Sequence, residues 1–136
     1  VAEAERDFRL AIYKNDAFAP AWIGLGETCI RMQKWTEASE AIAKASELDP
    51  ENAETSLHRA LIAMSTGDID GAVAGLEATA ARSGAPQLTN YYLGHAYLRA
   101  GQNGRALEAF RRFIAIWEGD GALLDEAKAF VERLSH

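Results

Sequence analysis

The chain has 136 residues, 49% of them hydrophobic, with one cysteine and a formal net charge of −6. That composition belongs to a folded, domain-sized chain, and its apolar runs of a few residues fall far short of the roughly 20 that a membrane-spanning helix needs. The single thiol, Cys29, excludes an internal disulfide, and the acidic balance opposes binding to nucleic acid or to an anionic membrane, both of which require basic surface.

In chain order, Val1 to Lys14 carries Ala4, Phe8 and Ala11 at helical spacing. From Ala19 to Met32 the large residues Trp22, Leu25, Cys29 and Met32 recur at three and four, and from Trp35 to Leu48 Ala38, Ile42 and Ala45 do the same, so two amphipathic helices joined by a turn form a hairpin. The pattern then returns. Ala4, Ala38, Ala72 and Ala106 are each 34 residues apart, and Phe8, Ile42, Leu76 and Phe110 follow in phase. Leu25-Gly26 reappears as Leu93-Gly94, Cys29 as Tyr97 and Gly67 as Gly101. A fixed period of this length predicts a stacked helical array that buries its apolar faces between units.

The period divides the chain into a half unit at 1–18, full units at 19–52, 53–86 and 87–120, and a terminal helix at 121–136, which gives eight helices, no strands and one domain. Gly26, Ala60 and Gly94 fall where paired helices cross and must be small for close approach. Gly67 and Gly101 follow helix ends, where a left-handed residue is often needed. Pro50 suits a helix stop and the first turn of the next helix, Pro86 the opening of the helix carrying Tyr91 and Tyr92. Asp68 suits an N-cap. The last helix places Leu124, Ala127, Val131 and Leu134 on one stripe and Asp125, Glu126, Glu132 and Arg133 on an outer polar face, as a capping helix requires. Starting in mid-unit without an initiator Met, the sequence reads as a fragment of a longer chain, with an uncovered first helix that offers a route to self-association.

These residues resemble the tetratricopeptide repeat family. Residues 19–52 match its pattern with Trp22, Leu25, Gly26, Cys29 where Tyr is usual, Ala38, Ile42, Ala45 and Pro50. The unit 87–120 keeps Leu93, Gly94, Tyr97, Gly101, Ala106 and Phe110, with Asn90 in place of Trp, while the unit 53–86 diverges most. The resemblance implies an all-α, right-handed solenoid of antiparallel helix hairpins that grips a protein or peptide in a concave groove lined by the first helices. Carried over by position, the groove residues are Ile23, Glu27, Ile30 and Arg31; Leu57, His58, Leu61 and Met64; and Tyr91, Tyr92, His95, Leu98 and Arg99. An alternative keeps the Leu57, Leu61 and Met64 stripe in the core and turns Ser56, Ala60 and Ala63 outward. Family members that hold chaperone C-termini use a basic and Asn clamp, and here Ile23, Glu27, His58 and Glu54 stand at those positions, which speaks against that role.

Candidate chemistry is sparse. Cys29 occupies a packing position, where a thiol is inert. His58 and His95 need not converge, no His, Cys or carboxylate pair has zinc-type spacing, and phosphate-binding and nucleophile motifs are missing. The sequence therefore points to no catalytic residue, no metal and no cofactor. It favours an interaction scaffold over three alternatives: a regulatory or assembly segment of a larger enzyme, a homo-oligomerisation module and an RNA reader, the last disfavoured by charge. Compartment stays open, with the cytoplasm weakly favoured.

Overall fold

The computed structural model describes residues 1–136 as eight α-helices without strands: α1 Ala2–Lys14, α2 Ala19–Arg31, α3 Trp35–Leu48, α4 Ala53–Ser65, α5 Ile69–Ala80, α6 Thr89–Arg99, α7 Asn103–Ile116 and α8 Gly121–Leu134. Each helix packs on the next in the chain, so the molecule is a stack of hairpins, an α-solenoid of helical repeats.

The predicted small residues stand at the crossings. A Cβ on Gly26 would come 2.4 Å from Ile42 Cδ1, and one on Gly94 would come 2.6 Å from the Phe110 ring. Both ladder residues are fully buried, as are Ala38, Ala72, Ala106 and Leu76. Two apolar clusters result. Leu25, Cys29, Ala38, Ala41, Ile42 and Ile62 form one. The larger extends from Leu57, Ala60 and Leu76 through Leu93, Tyr97, Phe110 and Phe113 to Ala127.

Turn chemistry sets the spacing between helices. Asp68 caps α5 by accepting from the Gly71 N–H at 3.0 Å, and Asn52 and Asp120 cap α4 and α8 in the same way. Pro50 lies two residues past the end of α3, in the turn, and α4 begins only at Ala53. Pro86 likewise precedes α6 by three residues, and its carbonyl accepts from the Thr89 N–H. Both prolines stop the preceding chain without opening the next helix, because Asn52 and Leu88 take the N-cap positions.

Gly67 and Gly101 have φ of +95° and +78°, and Gln33 stands at the corresponding place in the first full unit with φ +59°. A left-handed conformation costs a residue with a Cβ roughly 1–2 kcal/mol, and glycine returns about 0.5–1 kcal/mol of that through its freer unfolded chain. Gln33→Gly is therefore expected to stabilise the fold by about 0.5–1 kcal/mol, a rise of about 2–4 °C in the thermal midpoint followed by circular dichroism. An unchanged or lower midpoint would show that the Gln33 side chain contributes more than its backbone costs.

Candidate functional site

The first helices of successive units touch one another. α2 packs on α4 and α4 on α6, while consecutive second helices make no comparable contact. The stack is tighter on the first-helix side, so that side is the inner wall of the curve. Side chains bridge it at each step. His58 Nε2 lies 3.1 Å from Glu27 Oε1, Arg99 donates to the Met64 carbonyl at 2.9 Å, and Glu126 of α8 reaches Tyr91 and His95 of α6. His58 Nδ1 also faces the Glu54 carbonyl at 2.6 Å.

The predicted groove residues divide on this wall. Ile23, Glu27, Ile30, His58, Leu61, Met64, Tyr92 and Leu98 are half-buried, and Arg31 and Arg99 are exposed. Ile23 and Leu61 belong to neither apolar cluster. Leu57 is a correction: at 6% exposure it is a core residue, in the cluster against which Leu88, Tyr91 and Tyr92 of the next unit pack. Met64 packs on that cluster too. The alternative of a rotated α4 is met only in part, since Ala60 stays buried at the crossing while Ser56 and Ala63 border an open cleft of ≈ 430 Å³ between α4 and α5. Gly71, Gly75 and Ala78 line its far side, and Arg82 spans it to Ser56 Oγ and the Glu51 carbonyl. The cleft is what remains where small residues replace the large ones of the neighbouring units.

Tyr91 and His95 are half-buried on the wall, and α8 engages them. Tyr91 donates to Glu126 Oε2 at 2.9 Å, and its phenol is raised well above the usual range, chiefly by burial and then by Glu126. The His95 ring packs edge-on against Phe110 and Phe130, and Phe130 stacks on Phe110 at 5.0 Å. Glu126 thus points inward, contrary to its expected place on an outer polar face. Phe130 is a contact that the helical stripe of α8 does not single out. The period itself holds the signal: Gly121 follows Ala19, Ala53 and Gln87 in steps of 34, so α8 sits where a fourth first helix belongs.

The structure brings Glu5, Cys29 and Glu37 together, with one donor atom of each within 4.8 Å. Their separation in sequence hides this grouping. The carboxylates are already neutralised: Lys34 Nζ lies 3.0 Å from Glu5, and Arg9 lies 2.9 Å from Glu5 and 3.1 Å from Glu37. Lys34 first and Arg9 second hold the Glu5 carboxyl below its ordinary range, and burial, then Glu5, push the Cys29 thiol up. A metal needs the thiolate and free carboxylates, so the group is an ionic staple joining α1, α2 and α3. Tyr97, bonded to Glu77, is raised to about 12, mainly by burial. It fastens α6 to α5.

Residues 19–52 match the family model of the tetratricopeptide repeat. No curated protein matches the chain. Among solved structures, MamA is 20% identical, covers 96% of this chain with 84% of its own, and superposes with a TM-score of 0.74. A thermophilic tetratricopeptide-repeat protein of Thermus thermophilus is 18% identical over 95% of this chain and 72% of its own, with a TM-score of 0.82. At these identities the likeness is one of fold. The hairpin stack and its inner wall define a helical-repeat architecture. The family match is confined to residues 19–52, and the rest of the chain shares with these structures the fold of a stacked helical array.

His95 gives the wall a pH dependence. Its Nε2 lies 3.2 Å from Glu126 Oε1 but outside hydrogen-bonding geometry, so burial, which opposes protonation, outweighs the carboxylate and lowers the pKa below 6.5. The unfolded chain then binds a proton that the folded one refuses, so the stability His95 leaves intact above about pH 6.5 is lost as the pH falls through the folded value. The unfolding midpoint is expected to drop between about pH 7 and pH 5, and the drop to shrink in His95→Gln. Equal slopes in the two proteins would show that His95 is not the group responsible.

Proposed function

We propose that this segment binds a protein partner along its inner wall, holding a helix or extended peptide rather than carrying out chemistry. The observation that supports this is the pair Ile23 and Leu61: aliphatic, on the wall, and outside both apolar clusters of the fold. With Ile30 and Leu98 they offer aliphatic contacts on successive first helices, flanked by Arg31 and Arg99. A partner's apolar side chains gain about 25 cal/mol per Å² on leaving water there, and a helix or strand presents such side chains at regular spacing. Leu57, Tyr91 and His95 drop out of the contact set and serve to hold the wall's shape.

Leu61→Glu is expected to abolish partner retention from the source organism's lysate while leaving helicity and melting nearly unchanged. Leu57→Ala, by contrast, is expected to cost about 2–5 kcal/mol of stability through the cavity it leaves. Equal retention of partners by wild type and Leu61→Glu would move the binding surface off the wall.

A second reading, self-association through α1, is favoured by one observation. Leu10 and Tyr13 of that helix are 53% and 88% exposed, and Phe18 beyond it is 50% exposed. Exposed apolar groups so close together mark a contact surface. Light scattering across a concentration series should then show a mass that rises with concentration and returns to the monomer value in Leu10→Lys, Tyr13→Lys. A monomer at every concentration in the unaltered chain would dismiss this reading.

A further inference from the structure

We infer that the segment held on the inner wall carries carboxylate side chains along one edge, set to meet Arg31, Arg99 and Arg133. This rests on the reading of the wall as the docking surface. The three arginines occupy one position of the repeat, 34 or 68 residues apart, with Ser65 at the intervening step. All are exposed and stand in the last turns of α2, α6 and α8.

Their charges are unanswered within the molecule. The arginines that form ion pairs are Arg9, Arg82, Arg105 and Arg112. Arg99 spends one N–H on the Met64 carbonyl, and the Arg133 guanidinium lies 4.8 Å over the Phe130 ring. Glu132 stands beside Arg133 without pairing to it. Two wall carboxylates are engaged, Glu27 by His58 and Glu126 by Tyr91 and His95. A chain with a net charge of −6 thus presents unpaired positive charge along the C-terminal edge of its inner wall.

Helix electrostatics alone do not account for this pattern. A cation in a last turn favours any helix, and α1 ends on Lys14, yet α3, α4, α5 and α7 have none there. What recurs at the repeat period is an arginine at one position of three of the four inner helices, α2, α6 and α8, with α4 the exception. A guanidinium presents a planar fork that fits a carboxylate with two parallel hydrogen bonds, so an acidic polypeptide edge is the matching chemistry. A polyphosphate chain is disfavoured, because single-stranded nucleic acid needs exposed rings to stack on, and Tyr91 and His95 are packed against α8 and the core.

The test is selection from a short random-peptide display library on the unaltered chain, followed by fluorescence polarisation of the selected peptides at low and high salt. The expected peptides combine aliphatic residues with Asp or Glu. Arg31→Gln, Arg99→Gln, Arg133→Gln together should weaken them about tenfold, the product of three exposed pairs, and should abolish most of the salt dependence. Changing the peptides' own Asp and Glu to Asn and Gln should have the same effect. Peptides lost in Leu61→Glu but indifferent to the arginine replacements would overturn the acidic edge and leave the wall standing. Peptides indifferent to Leu61→Glu, or no selected peptide at all, would remove the wall reading and this inference with it. A labelled oligouridine bound more tightly than any peptide, and through the arginines, would assign them to nucleic acid and overturn the proposal.

Discussion

Everything in this array depends on how closely the two helices of a hairpin approach. The small side chain at residues 26, 60 and 94 and the large one at 42, 76 and 110 form a single device repeated three times. Where the large member is Ile42 or Phe110, a Cβ on the facing glycine would collide with a side chain that is fully buried and has nowhere to go. In the middle unit the device is relaxed. Ala60 replaces glycine and faces Gly75, whose added Cβ would sit an ordinary 3.8 Å away. The pair still closes, but small residues on both helices leave a cleft beside it.

That spacing decides what the inner wall can present. With first helices held close, side chains from one unit reach the next, and the bridging groups are polar at both ends of the wall. Glu27 meets His58 between the first two units, and His95 meets Glu126 between the last two, with acid and base exchanged. At the corresponding step in the middle stand Leu61 and Tyr92. The polar bridges fix the ends, and Leu61 between them belongs to neither apolar cluster, which is why the proposed binding surface centres on α4 and its neighbours.

The period made the architecture legible. Helix count, crossings, left-handed glycines and the Asp68 cap follow from residues that recur every 34 positions, because each answers a local demand that every unit repeats. The wall was less legible, and the reasons are particular. Leu57 shares a helical stripe with Leu61, but its exposure depends on the bulk of Leu88, Tyr91 and Tyr92 in the following unit, which no pattern within α4 reveals. Glu126 has the polarity of a surface residue and its helix pattern points it outward, whereas Tyr91 and His95, far away in sequence, turn it inward. The grouping of Glu5, Cys29, Arg9, Lys34 and Glu37 arises only when three helices meet. Periodicity reports what units share, and these contacts are what distinguishes one unit from another.

One detail of the core bears on motion. The two apolar clusters divide within a single helix: Ile62 of α4 belongs to the cluster around Ile42, while Leu57 and Ala60 of the same helix belong to the cluster around Phe110. In a linear array each unit couples only to its neighbours, so α4 is the seam where two cooperative blocks are joined. Local opening at the seam would separate the blocks while each keeps its own interior. A segment bound along the inner wall as proposed would span both blocks and hold them in one arrangement, at a cost in conformational entropy wherever the seam opens without it.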